Sequence, residues 1–319
     1  MNLHELSALV ADEAKAFELA EQIIWPHGPV CPHCGNAAER GKSIYKLEGV
    51  KDRKGRVRLG IKKCGACRKQ FTVRVNTIFS DSHIPLGKWL LAIHLMCSSK
   101  KGISAAQLQR ELGIAYKSAW FMCHRIRLAM TQPPLRGKLG EGQNNIVEID
   151  ETFVGGKSSN NPHKNKGPDA TKKAIVMTLI ERGGYVRTFP VPSCDGGYLR
   201  SVAYMNIDER AHIVTDDLRS YRGLGKAFAS HGVINKAQDG YVRGILHTNF
   251  AESYHSLLKR GIVGTFHHIS QKNLPRYLRE FEFRWNTRTF TDGERAEKAV
   301  RDVIGKRLAY REPTANKKS

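Results

Sequence analysis

The chain has 319 residues, 40% of them hydrophobic; 52 Lys and Arg against 30 Asp and Glu leave a formal net charge of +22 and a pI near 9.8. That length is roughly two domains' worth, and that apolar content builds ordinary buried cores, which excludes wholesale disorder. No stretch approaches the roughly 18 unbroken apolar residues of a membrane span, and the first basic residue, Lys15, comes too late for the charged start of a secretory signal. The expectation is a soluble, cytoplasmic protein with no membrane association and a polyanionic partner, nucleic acid above all.

In chain order, residues 1–27 carry Leu3, Leu6, Leu9, Phe17, Leu19 and Ile23 at helical spacing, ending at Trp25-Pro26, which reads as a helix packed on the cysteine-bearing segment after it. Residues 28–80 hold Cys31-Pro-His-Cys34 and Cys64-Gly-Ala-Cys67, each pair able to present two thiolates to one ion, with Gly35 and Gly65 permitting the turns. Four thiolates leave no open coordination position, so a structural Zn²⁺ held by Cys31, Cys34, Cys64 and Cys67 is expected in a zinc ribbon. His33 lies inside a knuckle and is assigned to solvent or phosphate, not to metal. Between the knuckles, Val57, Leu59 and Ile61 alternate as a strand, surrounded by Arg56, Arg58, Lys62 and Lys63, and Phe71–Val75 reads as another strand. From Arg40 to Arg74 there are 13 Lys and Arg against two acids, so half of the net charge sits in 35 residues. Those side chains are expected to meet DNA phosphates.

Residues 81–131 read as three helices: one opened by Pro85, a short one capped by Ser104 and stopped by Gly113, and a third from Tyr116 to Met130. Those lengths fit a helix-turn-helix, in which Tyr116, Lys117 and Ser118 lead a helix into the major groove, with Arg125 and Arg127 further along. Residues 132–145 are polar and rich in Pro and Gly, a linker.

Beyond the linker the pattern turns to alternation. Ile146–Val154 is a strand with Val147 and Ile149 on one face and Glu148, Asp150 and Thr152 on the other. An Asp in mid-strand is disfavoured and wants a reason. Ala174–Ile180 and Tyr185–Val191 make a hairpin, a short helix spans 197–204, and the strand Ala211–Asp216 ends in a second Asp. A helix then begins after Thr248, with Asn249, Glu252, Ser256 and Lys259 on one polar stripe. Trp285 sits on a later amphipathic helix that packs on the sheet. The segment 157–173, with Lys157 and four further lysines among Ser, Asn, Pro and Gly, reads as a basic loop, and residues 292–319 as a basic tail.

The order of strand with Asp, hairpin, helix, strand ending in Asp, helix with Glu resembles the RNase H-like α/β core of DDE transposases and retroviral integrases. The ribbon opening Trp-Pro-His-Gly-Pro-Val-Cys-Pro-His-Cys-Gly, the strand end Ile-Asp-Glu-Thr-Phe-Val-Gly-Gly-Lys157 and the run from Asn-Phe-Ala-Glu252 to Thr-Phe-His-His268 resemble bacterial insertion-sequence transposases with an N-terminal zinc ribbon, the ISXO-like group. The resemblance covers roughly residues 15 to 290 and places a mixed sheet with flanking helices over 146–291. It implies that Asp150, Asp216 and Glu252 are the catalytic triad, with Asn249 an accessory residue. Asp217 is the alternative to Asp216, which comes directly after Val-Thr as in the family's motif.

Three carboxylates suit Mg²⁺ or Mn²⁺ and not zinc. Two such ions would serve cleavage at an element's terminal inverted repeats and joining of the freed 3′-hydroxyls to target DNA, with Lys259 and Arg260 holding phosphate. His247, His267 and His268 are assigned equally to DNA contact, metal support, or surface and capping roles; Glu148 and Glu151 are assigned to salt bridges. Pairing two ends implies a homodimer or larger assembly on DNA. Two other readings stand beside this one: a zinc-ribbon and helix-turn-helix regulator with an inert core, and an RNase H-like nuclease that cuts without joining.

Overall fold

A computed structural model describes residues 2–37, 39, 41–132, 137–141, 145–155, 173–240 and 242–309. In chain order the elements are α1 (Leu3–Ala11), α2 (Glu13–Ile24), β1 (Ile44–Lys46), β2 (Lys62–Cys64), β3 (Gln70–Phe71), α3 (Leu86–Ser98), α4 (Ala105–Leu112), α5 (Tyr116–Ala129), β4 (Ile146–Val154), β5 (Ala174–Glu181), β6 (Val186–Val191), α6 (Gly196–Asn206), β7 (His212–Asp216), β8 (Ser230–Ile234), α7 (Lys236–Asp239), α8 (Asn249–Gly261), α9 (Leu274–Asn286) and α10 (Asp292–Arg301). They form two units, one of residues 1–130 with 289–319 and one of residues 131–288.

In the first unit the expected single N-terminal helix is two. Asp12 ends α1 and its carboxylate accepts the Lys15 amide, restarting the chain as α2. Both helices pack chiefly on α3, and not on the ribbon alone. α3 is apolar nearly all round (Leu86, Trp89, Leu90, Ile93 and Met96 are buried), as suits a central helix. Its first turn is capped from a distance: the Glu13 carboxylate accepts the Leu86 amide at 2.7 Å and the Gly87 amide at 3.2 Å, and also binds Arg74 at 2.9 Å. Gly87 is obligatory there, because a Cβ would lie 2.4 Å from the Leu9 carbonyl oxygen.

The ribbon's antiparallel sheet, β1-β2-β3, is shorter than the alternation implied. Val57 is exposed, while Asp52 closes a turn by accepting the amides of Lys54 and Arg56. After Phe71 the chain leaves the sheet, with Val73 still buried. The segment read as a tail begins with a true helix: Thr291 and Glu294 form a capping box, and α10 buries Ala296, Ala299 and Val300 against α3 and α2. Residues 310–319, the end of that segment, lie outside the described residues.

The second unit is a five-stranded sheet in the order β6-β5-β4-β7-β8. β6, β5 and β4 run antiparallel, and β4, β7 and β8 run parallel. On one face Val147, Ile149, Met177 and Leu179 pack against Leu199, Val202 and Ala203 of α6. On the other, Val154, Val176 and Ile180 pack against Ala251, Tyr254 and Leu258 of α8 and Leu278 and Phe281 of α9. Each fully buried aliphatic side chain here contributes about 1.5–3 kcal/mol. Two-sided burial explains how β4 can hold acids in mid-strand: its odd positions carry the α6 core, and its even positions are released for other use. Residues 137–141, read as linker, belong to this unit, where Leu139 is buried against α6 and bridges to Ile207.

α9 seals the edge strand β6. Glu282 accepts the Thr188 amide and hydroxyl at 2.6 Å each, and Asn286 both accepts from and donates to the backbone of Val186. Trp285 packs edge-on against Tyr254 of α8 at 5.7 Å, within the apolar cluster that α8 and α9 share with the sheet.

Candidate active site and zinc centre

The two cysteine knuckles are near copies. Gly35 N donates to Cys31 O at 2.9 Å and Arg68 N donates to Cys64 O at 2.8 Å, and both residues have positive φ, +73° and +59°. The left-handed position of the second knuckle is therefore Arg68 and not Gly65. Gly65 is needed for another reason, since a Cβ there would stand 2.6 Å from the Ser43 carbonyl oxygen. The sulfurs of Cys31 and Cys67, and of Cys34 and Cys64, are 3.7 Å apart, and all four lie within 4.8 Å of one another. A tetrahedron with Zn–S bonds of about 2.3 Å has edges of about 3.8 Å. The donor set and its spacing fit structural zinc. Burial pushes the Cys31 thiol up to about 12, whereas the Cys67 amide brings Cys64 down to about 7. A bound zinc would hold all four as thiolates. His33 is turned away from the metal position, its Nε2 3.4 Å from the Gln70 carbonyl.

The basic residues around this centre divide. Arg56, Arg58 and Lys63 are exposed, Arg56 in an ion pair with Asp52. Lys62 is not available for phosphate: it is buried, 2.5 Å from Glu21 and over the Trp25 ring. A similar correction applies to α5. Tyr116 and Lys117 are exposed and Ser118 is half-buried, but Arg125 and Arg127 are buried. Arg125 donates to the carbonyls of Ile78, Ser80 and Leu308 and lies over the Phe121 ring. Its burial in that carbonyl cage means it braces the first unit and does not meet a groove. The three helices α3, α4 and α5 have the expected lengths, with Ser104 capping α4 and Gly113 ending it at φ +60°.

In the second unit, the parallel register pairs Ile149 with Thr215, which brings Asp150 and Asp216 side by side on adjacent strands. By strand alternation both point away from the α6 face, to the side on which α8 packs against β4 and β5. Asp216 closes β7 by accepting the Leu218 amide, and neighbouring Asp217 is instead bound by Asn235 at 3.0 Å. Glu252 lies in the first turn of α8, half-buried, and accepts from the Thr248 hydroxyl at 3.4 Å. Among the described residues only the cysteines converge to within 4.8 Å, so the three acids stand wider apart than the sulfurs. Asn249, Lys259 and Arg260 are exposed on α8, while Lys157 and most of the basic loop lie outside the described residues. His267 and His268 are exposed beyond α8, and the His267 ring stands 3.0 Å from Val263 O.

The inward stripe of α8 is Ala251, Tyr254, His255, Leu258 and Gly261, away from the exposed Asn249, Ser256 and Lys259. His255 therefore enters the site unannounced, its Nδ1 3.6 Å from Asp150 and its Nε2 2.9 Å from the Thr178 hydroxyl. The sequence does carry a signal for it: it lies three residues beyond Glu252, on the neighbouring edge of the helix.

Of the two further acids, Glu148 does form a salt bridge, with Arg182 at 2.8 Å. Glu151 does not. Its Oε1 is buried without a hydrogen-bond partner, and burial, Asp216 and Asp150 together push its carboxyl up to about 8. Asp150 and Asp216, adjacent by register, with Glu252 on α8, supply carboxylate oxygens, the donor chemistry that suits Mg²⁺ or Mn²⁺.

Comparison with known proteins places both units in known domain families. The ISXO2-like transposase domain family matches residues 141–286, and the transposase zinc-ribbon family matches residues 11–70. A protein described as an uncharacterized protein in transposable element ISH50, from Halobacterium salinarum, is 30% identical over 287 residues, spanning 85% of this chain and 90% of the relative. Among solved structures, a pre-cleavage Mos1 transpososome aligns over 63% of this chain and 74% of its own, at 14% identity and a TM-score of 0.26. A Mos1 transposase paired-end complex with left transposon end aligns over 63% and 70%, at 12% identity and a TM-score of 0.27. With 30% identity across nearly the full length of a transposable-element protein, and both domain families matched in order, this chain belongs to the ISXO2-like insertion-sequence transposases that carry an N-terminal zinc ribbon.

Proposed function

We propose that the chain cleaves DNA at the terminal inverted repeats of its element and joins the freed 3′-hydroxyls to target DNA, using an RNase H-like core with Asp150, Asp216 and Glu252 as its catalytic acids. The observation that supports this reading is the strand register, which pairs Ile149 with Thr215 and so sets Asp150 beside Asp216. Those three acids would hold Mg²⁺ or Mn²⁺, which when bound polarises the scissile phosphate and activates the attacking oxygen. The remaining work falls to the chain. Lys259 and Arg260, exposed about two turns along α8 from Glu252, are placed to grip the phosphate backbone. Asn249, exposed in the first turn of the same helix, is an accessory contact. Arg56, Arg58 and Lys63 on the ribbon and Tyr116, Lys117 and Ser118 at the start of α5 contact the repeat, with α5 acting as the recognition helix. Bringing two ends together needs at least a dimer on DNA. Among the described residues no helix is long and apolar enough to cross a membrane.

The test uses the purified zinc-loaded chain, Mg²⁺ and a labelled duplex bearing the element's terminal repeats. Joined products support the proposal, cleavage without joining supports a nuclease, and binding alone supports a regulator with an inert core. Asp150→Ala and Glu252→Ala abolish cleavage while duplex affinity stays within about twofold; parallel loss of binding overturns the catalytic assignment.

A further inference from the structure

Glu148 is fully buried, and an ionised carboxylate out of water is tolerated only when its oxygens are satisfied. Both are. Oε1 takes Arg182 Nε at 2.8 Å and lies 3.1 Å from His247 Nδ1. Oε2 accepts the backbone amides of Phe250 at 2.9 Å and Ala251 at 3.1 Å. Those amides are orphan donors of the first turn of α8, where the helix dipole also favours an anion. The local candidate for that task, Thr248, makes no side-chain cap and directs its hydroxyl to Glu252. The cap thus comes from about 100 residues upstream, on the same strand and the same face as Asp150. Arg182 completes it by also donating to the His247 carbonyl at 2.9 Å.

On the far side of Glu252, His255 Nε2 is hydrogen-bonded to the Thr178 hydroxyl at 2.9 Å, and its Nδ1 stands 3.6 Å from Asp150, the cross-strand partner of Thr178. α8 is therefore fastened at residues 250–251 and again at 255, about 6 Å apart along the axis. Contacts at two such points oppose sliding and rolling of α8 against the sheet, and Glu252 lies between them.

We propose that Glu148 and His255 are positioning residues of the carboxylate site, which register α8 against β4 and so set where Glu252 stands relative to Asp150. This rests on the transposase reading above. If Glu148 were only a core ion pair, its loss would change stability and nothing else.

The experiment measures Mn²⁺ affinity of the full-length, zinc-loaded chain by electron paramagnetic resonance titration, together with Fe²⁺-directed backbone cleavage, which reports residues next to bound metal. Glu148→Gln keeps an oxygen for the amides and removes the charge. It is expected to weaken Mn²⁺ binding about 10–100-fold and to lose the backbone cut near residue 252, retaining those near 150 and 216. Its affinity for the terminal-repeat duplex without divalent ion should stay within about twofold. Should Glu148→Gln fail to fold, His255→Gln carries the same expectation. Mn²⁺ affinity within about threefold of wild type and an intact cut near 252 in the folded variants overturn this inference alone. A wild-type chain that binds no Mn²⁺ overturns it together with the transposase reading.

Discussion

In the ribbon, all four ligands come from two turns of the same build, each closed by its own backbone, and the sulfurs already stand at tetrahedral spacing. In the core, the three acids arrive on two strands and a helix spread over about a hundred residues, and each depends on partners elsewhere: Asp150 on His255, Glu252 on a helix start capped by Glu148. The first centre is local and closed, and the proposed second one is distributed and open. A closed centre suits an ion that only holds structure, whereas an open one leaves room for a substrate. The two should therefore fail differently. Breaking a local centre removes its metal outright, and breaking a distributed one lowers stability and metal affinity by separable amounts.

The largest expected effect is at the ribbon. Cys64→Ser should drop zinc from one per chain to near none by elemental analysis, forfeiting up to ~10–16 kcal/mol of metal-coupled folding free energy. Retention of stoichiometric zinc would break the comparison, because the site would then not need all four sulfurs. Next in size is Arg182→Met, which strands the buried Glu148 carboxylate beside its two amides. A loss of about 3–5 kcal/mol in urea unfolding is expected, with zinc content unchanged. Adding Glu148→Gln to Arg182→Met should recover part of that loss, because the uncompensated charge is then gone.

A third test reads the unsatisfied acid. The Glu151 carboxyl is pushed up to about 8 from an ordinary 4.5, first by burial and then by Asp216 and Asp150. The folded chain thus holds this proton to higher pH than the unfolded chain does. Its contribution to stability is full below about 4.5 and is lost as pH rises through 8. Without added divalent ion, stability should fall across that window by an amount on the order of a few kcal/mol. Glu151→Gln, or saturating Mn²⁺, should flatten that part of the profile. An unchanged slope in the variant would show that Glu151 does not share the charge of the site.

The same contrast decides which features are legible in the sequence. Cys-x-x-Cys spacing and the Asp150 strand are legible because each signal is short-range: two ligands on one turn, or alternate residues on one face. The strand Ile146–Val154 appears in the structure with the bounds its alternation implies. Local charge assigns Lys62, and the helix-turn-helix pattern assigns Arg125 and Arg127, to a DNA-facing surface, but all three are buried, because charge predicts exposure only until a specific partner removes it. Glu21 and the carbonyls of Ile78 and Ser80 are such partners, and for Arg125 they lie some 45 residues away in sequence. α10 reads as tail because its apolar stripe is covered by α3, nearly two hundred residues earlier. Glu148 reads as an ordinary ion pair because the helix it caps begins about a hundred residues downstream.

The smallest expected effect sharpens the comparison from the ribbon side. His33 sits between two zinc-binding cysteines, and a histidine at such a position is a common ligand type. In a local centre the turn itself decides which side chains reach the metal, and here the turn sends the imidazole toward the Gln70 carbonyl at 3.4 Å. That contact is long for a hydrogen bond and lies at the surface, so it contributes little. His33→Ala should leave zinc at one per chain and shift stability by no more than about 0.5 kcal/mol, measured by elemental analysis and urea unfolding. A drop in zinc occupancy would mean that the imidazole replaces a sulfur in the coordination sphere. The ribbon would then be able to exchange ligands, and the distinction between a closed centre and an open one would no longer separate the two halves of this chain.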